Sequence, residues 1–283
     1  MKSFLQKHEL PAYFLLSYAI IYGVLFGYIG LQPGQPLKPW SLIWFLAAFS
    51  PTISATLLSW ITGGWAKVKA LFSGFTRVKV GWFWWAAAAF MFFGPLLIAI
   101  VYGLLGNPVV GLKPGVTIPA LLGTILFIVF SGPASEEAGW RGFALPRLQE
   151  RYSALVSSLI LGVIWTFWHL PFFFLTGETQ VSIPMPIYLL LVTTLTVYMT
   201  WLYNNAQGSL IITWLAHFSF NLTGTLITGP VTLMPAMTFY LTSGPLLFLI
   251  TVCVVIYYGP KTLTGRRNAD AAKREVSARK IAV

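Results

Sequence analysis

Residues 116–142 have the sequence VTIPALLGTILFIVFSGPASEEAGWRG. An apolar run close to the length needed to cross a bilayer core, about 20 residues, leads here into two adjacent acids, Glu136 and Glu137. An acidic side chain at membrane depth costs on the order of 3 kcal/mol on insertion scales, so such acids are rare and usually functional. The stretch therefore predicts a membrane helix with a polar site inside the membrane.

The composition of the whole chain is that of a membrane protein. Its 283 residues are 57% hydrophobic and 9% charged, whereas soluble domains carry about 25% charged residues. Apolar stretches of roughly 20 residues recur along the chain. They predict eight spans, at about 10–32, 39–62, 80–106, 116–137, 153–175, 184–204, 208–228 and 237–259.

These spans predict an all-α fold, a polytopic membrane helical bundle of about eight transmembrane helices. The bundle fills residues 1–260, and residues 261–283 form a basic cytoplasmic tail. The first span is too long for the core of a signal peptide, so we expect it to be retained. The protein is therefore expected to be integral to the membrane, with the lipid bilayer as its first partner.

The net charge of +11 is distributed as in membrane proteins and does not indicate a nucleic-acid partner. If the N-terminus is inside, the cytoplasmic segments are 1–9, 63–79, 138–152, 205–207 and 260–283. They carry 2, 4, 3, 0 and 7 Lys and Arg residues, which is 16 of the 18 in the chain. This is the positive-inside pattern, and it predicts that both termini are cytoplasmic.

The first polar motif surrounds the two acids. Gly132 and Pro133 should interrupt the fourth span and begin a new helix. Glu137 and Arg141 have the i,i+4 spacing of a helical ion pair, with the acid first. Glu136 is turned about 100° away, so it is free for chemistry. The alternative is that both acids simply stabilise a helix start.

Two further motifs place histidines in apolar spans. Trp165 and His169 share a helix face in the fifth span, and Pro171 opens the helix beside them. His217 and Asn221 share a face of the seventh span. Taken singly, each histidine is equally explained as a core residue whose hydrogen bonds are formed or as part of a hydrogen bond between two helices.

Together the three motifs resemble the CPBP family of intramembrane proteases. This family contains the CAAX-processing endopeptidases of the Rce1 type and their bacterial relatives, also called Abi proteins. The resemblance covers about residues 120–228, and it rests on Glu136-Glu137-x-x-x-Arg141, Trp165-x-x-x-His169 and His217-x-x-x-Asn221. The sequence around the motifs is similar to that of the bacterial branch. This similarity implies that the protein lies in a bacterial plasma membrane. One departure is Trp165, where the family often has Phe.

The resemblance implies an intramembrane endopeptidase that cleaves a membrane-associated substrate, prenylated or a peptide precursor. It implies that Glu136 activates a water molecule that His169 helps to hold, and that His217 and Asn221 stabilise the oxyanion. Glu137 and Arg141 would fix the helix of the base, and Trp165 would pack beside it. No cofactor is then required.

Three alternatives stay open. Glu136, His169 and His217 form a two-histidine, one-carboxylate set known from catalytic zinc sites. A non-catalytic scaffold or bacteriocin-immunity protein could keep the same fold. A proton-coupled transporter also uses acids and histidines in its spans, but the chain has no convincing internal repeat.

The depth of the two key residues raises a difficulty for these spans. Glu136 should lie near the cytoplasmic end of the fourth span, whereas His169 lies some 16 residues, roughly 24 Å, into the fifth. We expect residues 142–157 to lie along the interface, so that the fifth helix starts deeper. The alternative is a re-entrant helix after Pro133. We expect the resulting cavity to open to the cytoplasm.

Overall fold

The computed structural model describes residues 2–107, 116–228 and 236–264, and within these ranges the chain is helical and has no strand. The prediction of an all-α membrane bundle is therefore confirmed. In chain order the α-helices are α1 (Lys2–Lys7), α2 (Glu9–Leu31), α3 (Leu42–Ala48), α4 (Ser50–Phe72), α5 (Trp82–Leu104), α6 (Ile118–Ser131), α7 (Pro133–Glu137), α8 (Leu145–Gln149), α9 (Ala154–Trp168), α10 (Met185–Asn205), α11 (Leu210–Thr228) and α12 (Ala236–Tyr258). Four short segments complete the helical content: a π-helix, Ala138–Ala144, and the 3₁₀ turns Ser73–Thr76, Leu170–Phe174 and Thr179–Ser182.

Each of the eight predicted spans contains a helix at nearly the predicted place. By length and composition, six helices of the described chain can cross a membrane. A seventh results if α3 and α4, which meet at a 64° bend, form one broken span. The eighth predicted span corresponds to α11, which is apolar but shorter over Leu210–Leu226. The count of eight therefore stays a prediction.

Side-chain caps define the starts of three helices. Ser41, Thr117 and Ser153 precede α3, α6 and α9, and each hydroxyl oxygen accepts a hydrogen bond from the backbone N–H three residues later. The distances are 3.2, 3.3 and 3.3 Å. The first turn of a helix leaves N–H groups without backbone partners, and lipid cannot supply them. These residues let the helices begin where the apolar sequence begins.

One end of the bundle gathers the basic segments. The Glu9 carboxylate at the start of α2 binds Lys67 of α4, and it accepts hydrogen bonds of 2.9 and 2.7 Å from Arg147 of α8. The N-terminal segment and the segments 63–79 and 138–152 therefore meet at the same end. We call this end, with its Lys and Arg residues, the basic end.

The remaining two predicted cytoplasmic segments also lie at the basic end. The Arg77 guanidinium donates to the carbonyl of Gln207 at 2.8 Å. Asn205 donates to the carbonyl of Leu263 at 2.7 Å, after α12 has ended. All five segments are thus on one side of the bundle, as the charge pattern requires. That this side is the cytoplasmic one remains a prediction, and residues 265–283 of the tail lie outside the described residues.

The fourth membrane helix is longer than predicted, and this brings Glu136 and His169 to a similar depth. It runs without a sharp bend over Ile118–Gln149, 32 residues, instead of 116–137. Glu136 lies 13 residues before its end, and His169 lies 15 residues after the start of α9. These lengths are about 20 Å and about 22 Å from the basic end. The expectation of interfacial residues 142–157 was wrong, because the helix continues to Gln149.

We expect Glu9→Gln to lower the free energy of unfolding by about 1–3 kcal/mol, because it removes a largely buried charge that binds two cations. The midpoint of thermal unfolding in detergent measures the effect. Glu150→Gln is the matched control, since Glu150 is an exposed acid at the same end. Equal midpoints for the two variants would contradict the structural role of Glu9.

Candidate functional site

The polar residues of α7, α9 and α11 surround one cavity of about 300 Å³ inside the bundle. Glu136, Trp165, His169, His217 and Asn221 all line it. Helices α3, α6, α10 and α12 supply the remaining wall, which is mainly aromatic and aliphatic. The three motifs that are far apart in sequence therefore meet around one space, as the catalytic interpretation requires.

Glu136 uses one carboxylate oxygen to hold its place and leaves the other available. Its Oε2 accepts hydrogen bonds from the indole N–H groups of Trp140 at 3.0 Å and Trp165 at 2.5 Å. No residue that the structure describes forms a hydrogen bond with Oε1. The side chain is 3% exposed, and it lines the cavity. The carboxylate is thus fixed from one side and can act on a molecule at the other.

Glu137 points away from Glu136 into a fully buried ion pair. Its Oε1 accepts hydrogen bonds from Arg141 Nη1 at 2.9 Å and from His217 Nδ1 at 2.8 Å. The Arg141 guanidinium also lies 4.2 Å above the centre of the Trp165 ring. Both charged side chains are 0% exposed. The i,i+4 pair that the sequence predicts therefore forms, and it also anchors the histidine of α11.

His169 presents one ring nitrogen to the cavity. Its Nδ1 is 2.8 Å from the carbonyl oxygen of Trp165. A carbonyl only accepts hydrogen bonds, so this nitrogen carries the proton. Nε2 is then an acceptor in the neutral ring. The ring is held by edge contacts with Trp168 and Tyr188, at centroid distances of 4.7 and 5.5 Å.

His217 and Asn221 lie against the break in the fourth helix. A Cβ atom added at Gly132 would be 2.6 Å from Asn221 Nδ2 and 3.1 Å from His217 Nε2. Both groups therefore lie close to the backbone at Gly132, and a larger residue there would require these side chains to shift. The sequence identified this glycine only as a helix interruption, and its spatial role was missed.

Two tryptophans form hydrogen bonds to Glu136 that were not predicted from the sequence. Trp165 was expected to pack, and it also donates a hydrogen bond to Glu136. A phenylalanine, which the family often has there, has no such donor. Trp140 was not singled out, although its i,i+4 spacing from Glu136 was a signal that it could reach the carboxylate. Trp165 also contacts both histidine rings, at 5.8 and 5.2 Å.

The zinc alternative requires three ligands to converge on one point. Within the described parts of the chain, no three His, Cys, Asp or Glu side chains are placed so that they could hold a metal ion. One oxygen of Glu136 is moreover engaged by two indoles. As arranged, Glu136, His169 and His217 do not fit a zinc site, and we derive no chemistry through a metal.

The cavity lies on the side of the site away from the basic end, whereas the sequence analysis expected it to open to the cytoplasm, the side predicted for the basic end. Its lining includes Thr124 near the start of α6, Tyr188 near the start of α10, and Glu178, Thr179 and Gln180 in the connection between α9 and α10. All of these lie toward the end where α9 finishes. We call this end the distal end.

Comparison with known proteins gives two matches. A family model described as type II CAAX prenyl endopeptidase, Rce1-like, matches residues 118–223, which include every candidate site residue. CAAX prenyl protease 2 of Methanococcus maripaludis is 28% identical over 139 residues. The match covers 47% of this chain and 49% of that protein. The similarity thus spans about half of the length of that relative.

The two adjacent acids should differ sharply in their effect on stability. We expect Glu137→Gln to cost about 3–5 kcal/mol, because it leaves the Arg141 charge buried and uncompensated. Glu136→Gln should cost far less, because its amide oxygen can still accept from both indoles. The midpoint of thermal unfolding in detergent compares the two variants. A larger loss for Glu136→Gln would contradict the assignment of Glu137 as the structural acid.

Proposed function

We propose that the chain is an intramembrane endopeptidase, because residues 118–223 match the model of the Rce1-like type II CAAX prenyl endopeptidases. It hydrolyses a peptide bond of a membrane-associated substrate, prenylated or a peptide precursor. The protein is an integral membrane protein, and we propose the bacterial plasma membrane as its location. The relative that it matches is archaeal.

One observation carries the proposal. The Oε1 atom of Glu136 has no hydrogen bond to a described residue, and it belongs to a cavity that also contains His169 and His217. A buried carboxylate with one oxygen anchored and one available is suited to take a proton from water. The base and the groups that would polarise a carbonyl come from three separate helices, as the mechanism needs.

The proposed reaction begins with a water molecule between Glu136 and His169. Glu136 Oε1 takes a proton from the water, and the water oxygen bonds to the carbonyl carbon of the scissile peptide. His169 Nε2 accepts the second hydrogen bond of that water and orients it. The carbon–nitrogen bond then breaks, and Glu136 gives its proton to the leaving nitrogen. The Glu136 carboxylate is regenerated, and the products are a carboxylic acid and an amine.

His217 and Asn221 are proposed to stabilise the oxyanion of the tetrahedral intermediate. The Asn221 amide can donate in any protonation state. His217 already uses Nδ1 toward Glu137, so Nε2 donates only when the ring carries both protons. The Glu137 carboxylate accepts the hydrogen bond of Nδ1 and thereby orients the ring.

We expect Glu136→Gln to lower the rate of cleavage by about 10²–10⁴-fold, the range for loss of a general base. The assay uses protein in detergent, a panel of prenylated and unprenylated peptides, and mass spectrometry of the products. Glu150→Gln, at the exposed acid of the basic end, should keep the parent rate. A cleavage rate of Glu136→Gln equal to that of the parent would contradict the role of Glu136 as the general base. Absence of any cleavage by the parent would instead favour the non-catalytic scaffold.

Catalysis by Glu136 without a metal predicts that chelators leave the activity unchanged. Purified protein is incubated with EDTA or 1,10-phenanthroline and then assayed on the cleaved peptide. A loss of activity that added zinc restores would overturn the metal-free mechanism. It would place Glu136, His169 and His217 in the ligand role of the zinc alternative.

A further inference from the structure

Buried side chains lie between Glu136 and the basic end. On that side of Glu136 the π-helix and the start of α8 place Trp140, Phe143 and Leu145, all 0% exposed. A Cβ atom added at Gly139 would lie 2.6 Å from the Tyr13 hydroxyl and 2.7 Å from the backbone of Pro51. The described residues on the basic side of Glu136 are thus closely packed and buried.

The cavity reaches the surface near the distal end. Thr179 lines it and is exposed, and Glu178 and Gln180 line it and are partly exposed. These residues follow α9, which starts at the basic end and rises about 22 Å over its 15 residues. The connection that they form therefore lies on the other side of the bundle, where it borders the mouth of the cavity.

The mouth carries the Glu178 carboxylate, which has no positive partner among the described residues. Neither a salt bridge nor a side-chain hydrogen bond from a described residue satisfies the Glu178 carboxylate. Its partial burial raises the pKa of this carboxyl above the usual value, because the charged form loses hydration. Tyr188 and Gln180 are the polar neighbours there, and neither is a cation. A positive group from outside the chain would offset the cost of this charge.

Resting on the proposed function, we infer that the substrate reaches Glu136 from the distal face, as an apolar peptide segment with a Lys or Arg beside Glu178. The aromatic wall, which includes Phe127, Phe172 and Phe239, suits the apolar part of such a segment. Glu178 suits its cationic part at the mouth. Since the basic end is the predicted cytoplasmic side, the distal face is the outer face of the plasma membrane. The substrate class is then an exported or outward-facing peptide.

The side of access is tested with single cysteines in a Cys253→Ala background, because Cys253 is the one native cysteine. Thr179→Cys places a thiol at the mouth, and Thr76→Cys places one at an exposed position of the basic end. A membrane-impermeant maleimide is added to intact spheroplasts and to permeabilised ones. We expect Thr179→Cys to be labelled in intact cells and Thr76→Cys only after permeabilisation.

Cleavage measured after labelling links the accessible site to the cavity. Labelled Thr179→Cys should lose at least about tenfold in rate, because the attached group blocks the mouth. Labelled Thr76→Cys should keep its rate. The proposal is overturned if Thr179→Cys is labelled only after permeabilisation, or if its label leaves cleavage unchanged. The labelling pattern can be measured even if no peptide is cleaved. The proposed side of access can therefore be contradicted independently of the proposed function.

The role of Glu178 is tested with two matched fluorogenic peptides that differ only in a flanking Lys or Glu. Parent protein in proteoliposomes should prefer the Lys peptide by about tenfold in kcat/KM, as one charge contact at a partly buried site allows. Glu178→Gln should abolish the preference, and Glu178→Lys should invert it. An unchanged ratio in Glu178→Lys would overturn the cationic substrate. Neither variant touches the residues assigned to the reaction.

Discussion

The buried contact among Glu137, Arg141 and His217 is the constraint on which the site depends. A carboxylate inside an apolar bundle is tolerable only when it is paired and hydrogen-bonded, and Glu137 meets a guanidinium and an imidazole through the same oxygen. The contact joins the fourth membrane helix to α11. It thereby sets the depth and orientation of His217, and it fixes the direction of the adjacent Glu136. Because consecutive helical residues differ by about 100°, anchoring one acid turns the other toward the cavity.

The π-helix that follows the two acids also helps to orient them. Residues Ala138–Ala144 carry Trp140 and Arg141, whose side chains reach back to Glu136 and Glu137 respectively. A π-helical turn is uncommon and occurs often at functional sites. Here it lies where Gly139 packs against Tyr13 and Pro51, so the same segment that orients the acids also fills the core below them. One stretch of chain thus both orients the two acids and fills the core beside them.

The sequence was sufficient for the features that depend on hydropathy, charge and helical spacing. It predicted the helices, the meeting of the five predicted cytoplasmic segments at one end, the Glu137–Arg141 pair, and five of the residues that line the cavity, namely Glu136, Trp165, His169, His217 and Asn221. It did not predict the length of the fourth helix, because the polar residues after Glu137 resemble a helix end and only tertiary packing buries them. The two indole donors were missed because a tryptophan in an apolar span is indistinguishable from core by pattern alone. Gly132 shows the same limit, since only the fold brings His217 and Asn221 against it.

The two halves of the bundle differ in a way that determines how the site can be used. On the basic side of Glu136 the described helices bury large aromatic side chains such as Trp140 and Phe143. On the distal side the helices surround a largely aromatic cavity whose lining includes the partly exposed Glu178. In the proposed reaction, a site that is packed on one side receives water and peptide from the other. The packing beside Glu136 and the proposed direction of substrate access are therefore two consequences of the same arrangement of helices.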